Sequence, residues 1–127
     1  MTAIPVAHSD HAPRALGPYS QTMAVGNLVY TAGQIPIDPV SNEVVAGSIR
    51  EQTAQALANL RAVLRAAGSD LDRVVKTTVF LVDLADYDGL NEVYAQLFGD
   101  HKPARSTVAV AGLPRGVRVE IEAVAIK

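Results

Sequence analysis

Arg105 and Thr107 alternate along Arg105-Ser106-Thr107-Val108-Ala109-Val110, and Glu120 and Glu122 alternate along Val117-Arg118-Val119-Glu120-Ile121-Glu122. Both runs read as strands. Successive strand side chains point to opposite faces, so Arg105 shares a face with Thr107, and Glu120 shares one with Glu122. If residues 111–116 join the two runs as a hairpin with Val110 opposite Val117, Thr107 lies opposite Glu120. Arg105 then lies opposite Glu122 and diagonal to Glu120. A guanidinium, a hydroxyl and two carboxylates would converge on one patch. Arg105 could grip a substrate carboxylate through its bidentate fork while Glu120 moves protons or orients water. A one-residue slip in register destroys the arrangement. The competing reading is a solvent-facing sheet with Arg105 and Glu122 as an exposed ion pair, worth only ~0–1 kcal/mol. Pattern alone favours that plainer reading.

Other chemistry-bearing residues point elsewhere. His8, His11 and His101 share no rigid face, so they read as solvated loop histidines rather than metal ligands. Asp83, Asp86 and Asp88 suit a helix start, where carboxylates complement the dipole. No Gly-rich phosphate loop of dinucleotide or Walker type occurs. Tyr19, after Gly17-Pro18, is a lone aromatic for which packing and ligand capping are both open.

The elements that must position these groups are legible in the spacing. Residues 1–18 form a proline-punctuated arm, and residues 19–127 form one domain. Gln21 to Val25 and Leu28 to Thr31 flank Gly26-Asn27, a pair suited to a two-residue hairpin turn. Ser48-Ile49-Arg50-Glu51 is a capping box. Leu57, Leu60, Val63 and Leu64 then repeat at helical spacing, and Gly68 ends the helix. Arg73 to Val82 is the strongest strand, and its second half, Val79-Phe80-Leu81-Val82, is apolar on both faces. A second helix is predicted from about Asp86 to Phe98, closed by Gly99. The order β-β-α-β-α-β-β describes an α+β layer of two helices on one face of a sheet. Helices cover one face only, so the second dry face of Val79 to Val82 implies packing against other copies of the chain.

The 127 residues suffice for one domain that buries roughly two-thirds of its unfolded-chain surface. There is no cysteine, which excludes disulfides, thiolate metal sites and a Cys nucleophile. The net charge of −2 argues against a general nucleic-acid binder. No apolar run approaches the ~20 residues that span a bilayer, and no secretory signal is visible, so a cytoplasmic protein is expected.

As an ordered set, G-P-Y-S-Q at 17–21, Y-T-A-G-Q-I-P at 30–36, V-V-K-T-T-V-F-L-V-D-L at 74–84, N-E-V-Y at 91–94, P-A-R-S at 103–106, L-P at 113–114 and V-E-I-E-A-V-A at 119–125 resemble the RidA (YjgF) family of reactive-intermediate deaminases. The resemblance spans nearly the whole chain. It implies a chorismate-mutase-like α+β protomer with a mixed sheet, assembled as a homotrimer with active sites between subunits. It implies hydrolysis of enamine and imine intermediates, such as 2-aminoacrylate, to 2-keto acids and ammonia, with neither cofactor nor metal. Arg105 then binds the substrate carboxylate and Glu120 positions water, while Tyr19, Gly33, Asn91 and Thr107 contact the substrate. Two positions depart from the family pattern: Ala32 stands where Ser is frequent, and Thr107 where Cys is frequent. Both Arg105 and Glu120 are retained.

Three further readings compete with the deaminase. One is a specialised catabolic deaminase of the same family acting on an aminomuconate-like substrate. Another is a non-catalytic, chaperone-like binder of small carboxylates. The last is a ribonuclease or translational inhibitor, which the charge balance and the scarcity of aromatics do not support.

Overall fold

The hairpin around Gly26-Asn27 and the capped helix from Ser48 both form as their residues dictate. In the computed structural model, which describes residues 2–5 and 8–127, strands β2 (Thr22–Val25) and β3 (Leu28–Thr31) pair antiparallel with Val25 opposite Leu28. Helix α1 (Ile49–Ala66) carries both halves of the capping box, between the Ser48 hydroxyl and the Glu51 side chain. Glu51 is exposed, and its hydrogen bond from Ser48 is the main reason its carboxyl titrates below the ordinary value. Gly68 follows the helix with φ +84°. Strand β4 (Val74–Leu81), helix α2 (Tyr87–Phe98), strand β5 (Ala104–Ala109) and strand β6 (Val119–Ile126) complete the expected order. Beyond that order, the arm contributes a two-residue strand, β1 (Ile4–Pro5), beside β2, and three single 3-10 turns form at Leu71–Arg73, Leu84–Asp86 and Pro114–Gly116. Gln21 pins the rest of the arm by accepting from the Ser9 backbone N–H at 2.8 Å and donating to the Pro13 carbonyl at 2.9 Å.

The sheet order is β1-β2-β3-β6-β4-β5, with β4 and β5 parallel and β6 antiparallel to both β3 and β4. This corrects the hairpin expected between the last two strands. Strand β4 lies between β5 and β6, so they do not pair. The physical reason is the connection. Residues 104–109 run parallel to β4 after the α2 crossover, and residues 110–118 return the chain to the other side of β4.

Both helices pack on one face. Leu57, Leu60, Val63 and Leu64 of α1 and Leu90 of α2 are fully buried against Val79 and Leu81 of β4 and Val119 and Ile121 of β6. Each such side chain contributes about 1.5–3 kcal/mol on leaving water. On the opposite face Phe80 is half-buried, while Val82 and Val108 are 42% exposed. Asn59, fully buried in α1, donates to the carbonyls of Ile35 and Ile37 at 3.0 and 2.9 Å, tying the segment after β3 to the helix. Among the described residues no helix is long and apolar enough to cross a membrane.

Candidate active site

The parallel register places Arg105 beside Thr77 and Thr107 beside Val79. Thr77 and Val79 are buried under the helices, and paired residues share a face, so Arg105 and Thr107 project on the helix side. There the guanidinium meets α2. Tyr87, Asn91 and Tyr94 are spaced i, i+4 and i+7, which puts them on one helix face. The Arg105 guanidinium carbon lies 4.7 Å from the Tyr94 ring centre and 5.5 Å from that of Tyr87, and Nη2 donates to the Tyr87 hydroxyl at 3.1 Å. Stacking of this kind contributes ~0.5–2 kcal/mol and, more usefully, orients the planar fork. Hydrogen bonding to Asn91 first, and to Arg105 second, holds the exposed Tyr87 phenol below its ordinary pKa. Burial pushes the Tyr94 phenol up, so it remains a neutral hydroxyl sharing a 2.7 Å hydrogen bond with Thr77. Asn91, Tyr94, Phe98, His101 and Arg105 line a cavity of about 460 Å³. The Thr107 hydroxyl is buried without a hydrogen-bond partner among the described residues.

Glu120 occupies the other side of the sheet. It pairs with Phe80, between the core residues Val119 and Ile121, and Glu122 pairs with Thr78. Alternation therefore turns both glutamates away from the helices. Burial first, and the neighbouring charge of Glu122 second, raise the Glu120 carboxyl above its ordinary pKa. Gly33 stands directly beside it, because Gln34 and Ile121 exchange backbone hydrogen bonds of 2.8 and 3.0 Å. A Cβ at Gly33 would come within 2.7 Å of the Glu120 carboxyl carbon. Tyr19, 57% exposed, lines a neighbouring cavity of about 180 Å³ together with Gly33, Gln34 and Ile35.

The candidate residues thus form two groups rather than one patch. Arg105, Thr107 and Asn91 make a cationic half on the helix side, and Glu120, on the other side, makes an acidic half with Gly33, which shares a cavity with Tyr19. The convergence expected from a β5–β6 hairpin does not occur within one chain, nor does an Arg105–Glu122 ion pair, because β4 intervenes and the two groups face opposite ways. The tyrosines that hold Arg105 escaped sequence reasoning, although the spacing of Tyr87, Asn91 and Tyr94 was available to reveal them. His101 also departs from the solvated role expected: a ring nitrogen lies 2.6 Å from the Val74 carbonyl. Among the described residues no group of three His, Cys, Asp or Glu is arranged to hold a metal ion.

A family model described as endoribonuclease L-PSP matches residues 9–127. The chain is 51% identical over 122 residues to a RutC family protein of Pyrococcus horikoshii, covering 96% of this chain and 97% of that one. It is 50% identical over 122 residues to the human 2-iminobutanoate/2-iminopropanoate deaminase, covering 96% and 89%. Its fold superposes on Escherichia coli TdcF, solved with bound serine, with a TM-score of 0.92 at 41% identity over 98% of both chains. By sequence and by fold, this chain belongs to the endoribonuclease L-PSP family, also known as the YjgF/RidA family.

Proposed function

We propose that the protein hydrolyses reactive 2-imino and 2-enamino acids to 2-keto acids and ammonia, at sites formed where the cationic half of one protomer meets the acidic half of another. The observation that carries this reading is Arg105. Two tyrosines hold it in place, and no carboxylate among the described residues lies in ion-pair contact with it. An oriented, unpaired guanidinium is a receptor for a small carboxylate. Relatives named as imine deaminases at about 50% identity, and the bound serine of TdcF, support a small amino-acid-derived ligand. Assembly as a homotrimer accounts for the opposed halves and for the half-buried Phe80 face, since a cyclic assembly brings opposite surfaces of neighbouring protomers together.

The chemistry needs little from the protein. An enamine tautomerises to an imine, water adds at C2, and ammonia leaves as the keto acid forms. The imine is already electrophilic, so positioning supplies most of the catalysis. Arg105 anchors the α-carboxylate. Glu120 accepts a proton from the attacking water and returns one to the departing nitrogen. The unpartnered Thr107 hydroxyl gains its missing hydrogen bond when a polar ligand enters, and bare Gly33 lets the ligand approach the backbone closely.

The test couples the protein to an enzyme that generates 2-aminoacrylate and follows keto-acid release. Wild type accelerates release over buffer. Arg105→Ala abolishes the acceleration with an unchanged far-ultraviolet circular dichroism spectrum. No acceleration by wild type overturns the proposal, and fewer than one product per site would identify a binder instead.

A further inference from the structure

Arg14 and Arg115 reach the same cavity from distant parts of the chain. Arg14 precedes Gly17-Pro18-Tyr19 in the arm, and Arg115 lies in the turn Pro114–Gly116 before β6. Both line the cavity of about 180 Å³ beside Tyr19 and Gly33, and Gly33 is the residue that stands against Glu120. The two arginines therefore border a cavity that meets the acidic half of the candidate site at Gly33. The other six arginines are committed: Arg50, Arg61, Arg65 and Arg118 have carboxylate partners, Arg73 bonds the carbonyls of Ile126 and Lys127, and Arg105 is held by tyrosines. Among the described residues no carboxylate lies within ion-pair distance of Arg14 or Arg115.

Arg115 is also held in an unusual way. Its backbone is left-handed, with φ 58°, and one of its terminal nitrogens donates at 3.1 Å to the carbonyl of Asn42, which has φ 60°. These are the two non-glycine residues with positive φ among the described residues. Such backbone persists only where its surroundings impose it. The bond to Asn42 fixes one corner of the guanidinium at the cavity and leaves its remaining donors unassigned.

We infer that Arg14 and Arg115 bind a second anionic group, so that the site favours imino acids whose side chain ends in a carboxylate. The inference rests on the deaminase reading and specifies its substrate class. Arg105 takes the α-carboxylate, C2 sits at Glu120, and the side chain extends past Gly33 and Tyr19 to the two arginines. The reaction balances as before: the imine of an acidic amino acid and water yield a 2-oxo dicarboxylate and ammonia.

The test generates two imines in situ with flavin amino-acid oxidases, one from glutamate and one from 2-aminobutanoate. The readout is the ratio of kcat/KM for the dicarboxylic imine to that for the uncharged one. In wild type this ratio is about one or higher, and in Arg14→Ala/Arg115→Ala it falls by roughly tenfold or more, the scale of losing one charge-assisted contact. Arg14→Glu/Arg115→Glu lowers it further, while Arg115→Lys, which retains the charge, largely restores it. A ratio that stays within about twofold across wild type and both double variants overturns the inference and leaves the deaminase reading standing. If wild type accelerates hydrolysis of neither imine, both fall together.

Discussion

Glu120 is the residue whose environment most directly sets a measurable property. Burial and Glu122 raise its pKa, and the form that accepts a proton from water is the carboxylate. The working form is complete above the raised pKa and is lost as pH falls through it. The acid limb of kcat/KM for imine hydrolysis by the wild type should therefore lie above the ordinary glutamate value. Removing the second charge in Glu122→Gln should move that limb toward lower pH. Gly33 is tied to the same carboxylate, since a side chain there must displace it. Gly33→Val should lower kcat/KM by roughly 100-fold, the usual consequence of misplacing a reacting group by about 1 Å. A Gly33→Val protein with wild-type kinetics would show that the carboxylate need not sit where it does.

Helix α1 matters to the site through what it holds. Its inner face carries Leu57, Leu60 and Leu64 into the core, and its Asn59 grips the carbonyls of Ile35 and Ile37 that follow Gly33. Leu60→Ala should cost about 2–5 kcal/mol of stability, because it combines lost burial with a cavity. Ser48→Ala, which removes the N-terminal cap, should cost about 1 kcal/mol. Denaturant titration at one fixed protein concentration separates the two, and equal midpoints would contradict the packing described. Helix α2 plays the corresponding part for Arg105, as its Tyr87, Asn91 and Tyr94 face the guanidinium or line its cavity.

At the scale of the whole molecule, the Arg105 and Glu120 groups face opposite ways, and the proposed inter-protomer site makes a prediction that a single-chain site would not share. Arg105→Ala and Glu120→Gln should each be inactive alone. Denatured together in equal amounts and refolded, they should recover about one quarter of the wild-type activity, the fraction of interfaces that pair an intact Arg105 with an intact Glu120 in a randomly mixed cyclic assembly. A mixture as inactive as its components would show that both groups act within one chain.

Local features were legible in the residues themselves. The capping box at Ser48, the turn at Gly26-Asn27 and the glycines closing both helices depend on contacts a few residues apart, so composition and spacing determined them. Arg105 and Glu120 could be singled out by alternation along their strands and by the motifs P-A-R-S and V-E-I-E. Which strand lies between them could not. Strand order depends on how a crossover helix packs against the sheet, a long-range choice that alternation along a strand does not encode. Tertiary structure placed β4 between the two strands, stacked Arg105 on tyrosines of α2, set Glu120 against Gly33, and turned the two charges to opposite faces.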